Sequence, residues 1–285
     1  MNSIYHLTKE IANIVNTIYK EKNNLKIKNL YKEGKKLATE LKVKAIQNKP
    51  KYCLISFKDL NSKILEKKTY ILSNLLGKKI NQNYKKEKII VVTPNINLLK
   101  KHKKNINDKL RYHQTNKGGS IHTDGPQINN TPPILLMSCV QNSAKGGDSI
   151  LVSGEKVFNY IKKNNNKISK ILKNKFYFER RGFKFSNNNI FYKSIFDINK
   201  KKFEMRYLRE YIDTAYKIKN IKINNEKIKA LNYLDKCLKM KKLQKRLRMQ
   251  TGDIIIINNK AMAHGRSEFT INKKNPRKLL RIWLN

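Results

Sequence analysis

Cysteine is nearly absent from this chain. Its three copies, Cys53, Cys139 and Cys237, are widely spaced and include no CxxC pair. That argues against a disulfide scaffold and makes a reducing cytoplasm the expected setting. No apolar run approaches the roughly 18–20 residues of a membrane span. The opening Met1-Asn2-Ser3-Ile4-Tyr5-His6 lacks the charged-then-apolar layout of a signal peptide. No repeat of about 20–50 residues recurs, which excludes a solenoid. Acidic residues are also scarce, 20 against 64 Lys+Arg, giving a formal net charge of +44 over 285 residues.

A charge of that size points first to a nucleic-acid or anionic-membrane partner. Its make-up weakens the inference. Of the cations, 54 are Lys and only 10 are Arg, while Asn (37) and Ile (35) are inflated and Ala (8) is rare. Lys, Asn and Ile have A/T-rich codons, so an A/T-rich genome yields this profile whatever the function. The lysines are diffuse, whereas a nucleic-acid binder clusters arginines and aromatics on one face. Against this background each arginine is a marked position, kept where a planar bidentate fork is needed.

Enough apolar residues (39%) are present for a sizeable core, and 9% aromatics argue against disorder. Residues 1–50 read as helical, with Ile4, Leu7, Ile11, Ile14/Val15 and Ile18 at helical spacing, then Leu30, Leu37, Leu41 and Ala45. Residues 60–76 and 224–240 are further helices. Strands are expected at 53–57, 89–92, 134–140, 149–152, 176–185, 254–257 and 279–284, with Asn187-Asn188-Asn189 as a hairpin turn. The lysine-rich stretch 97–117 reads as irregular. The tally is an α+β chain with an all-β kernel.

Five histidines exist, and two stand in unusual company. His122 and Asp124, two apart on an extended segment, point to one side and can share a ligand. A histidine and a carboxylate supply two of the three ligands of a facial iron site, and His264, after the 254–257 strand, is the candidate third. Taken singly, His122 and Asp124 are more often the parts of a turn before Gly125-Pro126, and a lone histidine is more often structural. The surroundings change the balance. Lys145-Gly146-Gly147-Asp148-Ser149 sets a hydroxyl at a strand start, and Arg266, Arg277 and Arg281 crowd three of ten arginines into the last twenty residues.

The segments HTDGPQINNTPPILLMSCVQNSAKGGDSILVSG (122–154, in the block 118–154) and GDIIIINNKAMAHGRSEFTINKKNPRKLLRIWL (252–284, in the block 252–285) together resemble the TauD/TfdA family. These are Fe(II)- and 2-oxoglutarate-dependent dioxygenases similar to taurine dioxygenase, clavaminate synthase and γ-butyrobetaine hydroxylase. The order HxD, PP, GGDS, HGR and R-x-x-x-R carries the likeness over about a quarter of the chain.

The resemblance implies a clavaminate synthase-like double-stranded β-helix, or jelly roll, with flanking helices. It implies His122, Asp124 and His264 as iron ligands, and Ser149 and Arg277 on the distal carboxylate of 2-oxoglutarate. It puts Arg281 in the same pocket or near the primary substrate, and gives Arg266 a structural role. Residues 1–285 are expected to form one dioxygenase domain in which 155–250 supplies the lid and substrate region. Arg180, Arg181, Arg206 and Arg209 there are candidates for binding an acidic substrate.

The activity implied is hydroxylation of an unactivated C–H bond in a small molecule, an amino acid or related acid. O2 is the second cosubstrate, and succinate and CO2 are released. Retention of Asp124 argues against halogenation, with desaturation or cyclisation as variants. No specific nucleic acid and no membrane is expected as a partner. The rivals are a basic nucleic-acid-binding protein, an oxygenase acting on a macromolecule, and a family member that binds metal only structurally. The chain departs from the family in having Asn258-Asn259 where Asp-Asn is common, and Ile121 where an aromatic is common.

Overall fold

The computed structural model describes residues 2–57, 61–95, 114–180, 189–199 and 202–285. The N-terminal apolar stripe folds as expected. Helix α1 (Asn2–Lys20) buries Leu7, Ile11, Ile14, Val15 and Ile18. Asn23 caps α2 (Asn24–Leu41) by accepting the Lys26 N–H, and a π-helical turn, Lys42–Gln47, continues it. Asn61 caps α3 (Ser62–Leu76) in the same manner. The three helices pack closely because Gly34 has no side chain: a Cβ there would lie 3.0 Å from both Ile14 and Leu75.

These helices cover a six-stranded antiparallel sheet. Its order is β1 (Tyr52–Ser56), β11 (Asp253–Asn258), β4 (Ile134–Gln141), β13 (Lys278–Leu284) and β2 (Lys79–Ile80), with β3 (Ile89–Val92) also paired to β13. A smaller sheet has the order β10 (Gln244–Leu247), β5 (Ser149–Ser153), β12 (Met262–Arg266). The sheets face each other as a double-stranded β-helix, and strand alternation sorts the side chains between them. Ile134, Leu136, Ile254, Ile256, Leu280 and Ile282 face the N-terminal helices. Their neighbours Leu135, Cys139, Ile255, Ile257 and Trp283 meet Leu151 and Met262 between the sheets. Both faces of β11 are buried, so its sequence shows an unbroken isoleucine run instead of an alternation.

The outer face of the smaller sheet, Ile150, Val152 and Ala263, is covered by a second helical group. This comprises α4 (Gly154–Asn164), α5 (Asn166–Leu172), α6 (Arg209–Ile218) and α7 (Asn225–Lys239). Two hairpins accompany it, β6 (Lys175–Glu179) with β7 (Ile190–Ser194) and β8 (Phe196–Asn199) with β9 (Lys202–Met205). The strand expected over 176–185 therefore ends at Glu179. The turn expected at Asn187-Asn188-Asn189 and the irregular stretch 97–117 fall largely outside the described residues. Among the described residues no helix is long and apolar enough to cross a membrane.

Candidate active site

Inward positions of three strands build one pocket. On β12 these are Met262, His264 and Arg266; on β5 they are Ser149 and Leu151, paired in register with Arg266 and His264. On β13 they are Arg281 and Trp283, while Leu280 and Ile282 turn to the helices. A single antiparallel bridge then adds His122 to the edge of the smaller sheet: its N–H donates to His264 O (2.9 Å), and its carbonyl accepts the His264 N–H (2.7 Å). That bridge brings the two imidazoles to 4.6 Å between centroids.

Beyond His122 the chain leaves the sheet, and buried backbone groups need other partners. The Thr123 N–H donates to Tyr207 O (2.8 Å), and the Tyr207 N–H returns to Thr123 Oγ1 (2.9 Å). Asn259, fully buried, substitutes for a strand beside Asp124. Its Oδ1 accepts the Asp124 N–H at 2.8 Å, and its Nδ2 donates to Asp124 O (2.8 Å) and Pro132 O (2.9 Å). Held in this way, Asp124 sets Oδ1 at 3.6 Å from His122 Nε2 and 4.0 Å from His264 Nε2. One donor atom from each of the three residues lies within 4.8 Å of the others.

The protonation states suit coordination. His122 Nδ1 lies 3.2 Å from Ser120 O, which only accepts, and the tautomer that donates there leaves the lone pair on Nε2, the nitrogen that faces Asp124. Burial, with His122 and Arg281 nearby, lowers the His264 pKa to about 3 against the opposing pull of Asp124, leaving that ring neutral. Burial alone would raise the Asp124 carboxyl. The Arg281 guanidinium leads the groups that outweigh it and hold the carboxyl well below the usual range. Arg281 Nη1 donates to Oδ1 (3.2 Å) and Trp283 Nε1 to Oδ2 (2.9 Å). Arg281 is itself held by Gln82, whose Oε1 accepts its Nε–H (2.9 Å) and whose Nε2 donates to its carbonyl (2.8 Å).

Arg277, just before β13, lies along the same pocket, with Ser149 and Arg266. Its Nη2 donates to Gly147 O (3.2 Å), and its guanidinium carbon sits 5.4 Å from the Phe269 ring, as does that of Arg266. Gly147 has φ +78°, and a Cβ there would approach Arg277 Nε to 3.0 Å and Ser143 Oγ to 2.5 Å. Arg248 braces the same loop through Ser143 O, Gly146 O and Asp148. The Ser149 hydroxyl is 3.3 Å from Met249 Sδ. Met137, Leu151, Ile255 and Ile257 form the apolar wall.

Five of the six residues marked from the sequence thus line one cavity, and the sixth, Asp124, stands behind it against Arg281, His122 and His264. Arg180, Arg206 and Arg209 of the 155–250 region do not line it. Arg206 is buried against Glu204 (2.8 Å) and donates to Ile128 O and Asn129 O. Arg209 pairs with Asp213 and Asp235 (2.9 and 2.8 Å). Arg180 reaches Asn129 Oδ1 (3.4 Å), and Arg181 lies outside the described residues. A buried charge needs such partners, and these arginines spend their forks fixing the loop after Asp124 and the α6–α7 packing. Sequence reasoning missed Asn259, Gln82 and Trp283. The only signals were the Asn-Asn pair before β12 and the presence of one tryptophan in the chain.

The model of the taurine catabolism dioxygenase TauD, TfdA family matches residues 66–283, and the chain belongs to that family. Gamma-butyrobetaine dioxygenases of Homo sapiens and Pongo abelii are each 26% identical to it over 154 residues, 53% of this chain. The match spans 40% of the length of those relatives. Asparagine oxygenase in complex with Fe(II), 2S,3S-3-hydroxyasparagine and succinate shares the fold, with a TM-score of 0.71 at 10% identity over 98% of this chain and 91% of its own. The non-heme iron oxygenase OrfP with Fe and alpha-ketoglutaric acid superposes with a TM-score of 0.66 at 12% identity, covering 98% and 91%.

Proposed function

We propose that this protein is an Fe(II)- and 2-oxoglutarate-dependent dioxygenase that hydroxylates a C–H bond of a small acid or amino acid. The observation that carries the reading is the convergence of His122 Nε2, His264 Nε2 and Asp124 Oδ1 at the wall of a pocket that also holds Arg277 and Ser149. Two imidazoles and an ionised carboxylate fit Fe(II), and three protein ligands leave positions for others. When bound, iron with 2-oxoglutarate supplies the oxidising chemistry: one atom of O2 goes to the substrate and one to succinate, with loss of CO2.

The chain supplies orientation. Arg277 and Ser149 would hold the distal carboxylate of 2-oxoglutarate by charge-assisted hydrogen bonds, fixing its pose. The apolar wall of Met137, Leu151, Ile255 and Ile257 excludes water from the reacting atoms. Arg281, beside Asp124, would meet the acidic group of cosubstrate or substrate. In this reading residues 1–285 act as one domain, and 155–250 shapes the lid and substrate side. The three buried, unpaired cysteines support a cytoplasmic setting.

The deciding experiment is a screen of amino acids and related acids for stimulated succinate release in air with Fe(II). A stimulating acid whose effect disappears in His264→Ala supports the reading. Succinate no higher than in that variant for every compound overturns it. Iron-independent RNA or DNA binding that falls steeply with salt would favour the basic nucleic-acid reading instead.

A further inference from the structure

Trp283 has no task in the function proposed above, yet it touches the carboxylate at its centre. It is the only tryptophan of the chain, 3% exposed, and shares the inward face of β13 with Arg281 two residues away. Its Nε1–H donates to Asp124 Oδ2 at 2.9 Å. The other oxygen, Oδ1, is the one that faces the two imidazole Nε2 atoms at 3.6 and 4.0 Å. The terminal torsion of aspartate is broad and two-fold, so its oxygens interchange unless a neighbour distinguishes them. Arg281 offers several donors and sits on Oδ1 itself, with its Nε engaged by Gln82. The indole has one donor and no acceptor, on a ring packed between the sheets with Leu135 and Ile257. It cannot follow a rotating carboxylate.

We infer that Trp283 is a positioning residue that assigns the two oxygens of Asp124, holding Oδ2 away so that Oδ1 alone is presented to a metal. The inference rests on the reading of His122, Asp124 and His264 as metal ligands. Neighbours that orient a metal ligand typically alter metal affinity by about 10–100-fold when removed, and a single neutral hydrogen bond belongs at the lower end of that range.

Mn(II) alone is the probe, titrated into the full-length, metal-free protein and followed by electron paramagnetic resonance. Trp283→Phe keeps an aromatic ring and removes the donor. Because the chain has one tryptophan, growth of a tryptophan auxotroph on β-(3-benzothienyl)alanine replaces it at that position alone. This analogue exchanges the N–H for sulfur at nearly constant shape, and it decides the matter if the phenylalanine variant fails to fold. Circular dichroism and a cooperative melt establish folding.

The expected result is Mn(II) binding weakened about tenfold in the folded variants, with an altered fine structure of the bound ion, which a purely packing role would leave unchanged. Binding within about twofold of wild type and an unchanged spectrum overturn the inference. If wild type takes up no stoichiometric Mn(II), or His264→Ala binds it equally well, the metal-site reading itself fails and this inference goes with it.

Discussion

Replacing Asn259 by alanine removes three hydrogen bonds at a fully buried position and frees the backbone that carries Asp124. The groups left behind are the Asp124 N–H and the carbonyls of Asp124 and Pro132. A buried polar group deprived of its partner costs about 1–3 kcal/mol, and carbonyls keep a second lone pair, so the total is about 3–5 kcal/mol. For a chain of this length that is a fall in melting temperature of about 5–8 °C. Asn259→Asp is the informative companion. It retains an acceptor for the Asp124 N–H but turns a carboxylate toward two carbonyl oxygens, so it should lose at least as much. Urea unfolding of metal-free protein, followed by the fluorescence of Trp283, measures both. A loss below about 1 kcal/mol in Asn259→Ala, or wild-type stability in Asn259→Asp, would refute the hydrogen-bond reasoning.

Three further expectations bear on the other end of the pocket and on the core. Arg277→Ala should raise the 2-oxoglutarate requirement about 100-fold while metal affinity moves by less than about threefold, and Arg277→Lys should rescue little because it lacks the planar fork. Equal loss of both affinities would mean that Arg277 serves the metal end. Gly147→Ala introduces a Cβ at φ +78° against Arg277 and Ser143, and should destabilise the fold by about 1–3 kcal/mol and weaken 2-oxoglutarate binding with it. A stable variant with unchanged 2-oxoglutarate affinity would show that the loop tolerates the side chain. Burial pushes the thiol of Cys53 up to about 12 and that of Cys139 to about 11, so iodoacetamide at pH 8 should label neither in the folded protein and both in urea. Prompt native labelling of Cys53, seen by mass spectrometry, would contradict its burial beneath the N-terminal helices.

The parts of the site legible in the sequence are those set by short-range geometry. His122 and Asp124 share a face because they are two apart on an extended segment, and β11 and β13 announced themselves as apolar runs. The family motif then tied His264, Ser149, Arg277 and Arg281 to the same cavity. What stayed hidden depends on register between distant strands. Trp283 meets Asp124 across 159 residues and Asn259 meets it across 135, through sheet pairings that no local pattern specifies.

At Arg206 and Arg209 the scarcity of arginine marked positions where a fork is used, but not what it grips. Arg206 holds carbonyls 77 and 78 residues away, and Arg209 holds carboxylates on two helices. The short strands β2, β8 and β10 are polar or only partly buried, and lack the alternation that makes a strand readable.

The central claim is that His122, Asp124 and His264 form an iron site shared with 2-oxoglutarate. Anaerobic addition of Fe(II) and 2-oxoglutarate tests it most directly, before any substrate is known. The account requires a weak visible charge-transfer band in the wild-type protein that is absent in His264→Ala. A wild-type protein that gives no such band, and forms no succinate on admission of air, would contradict it.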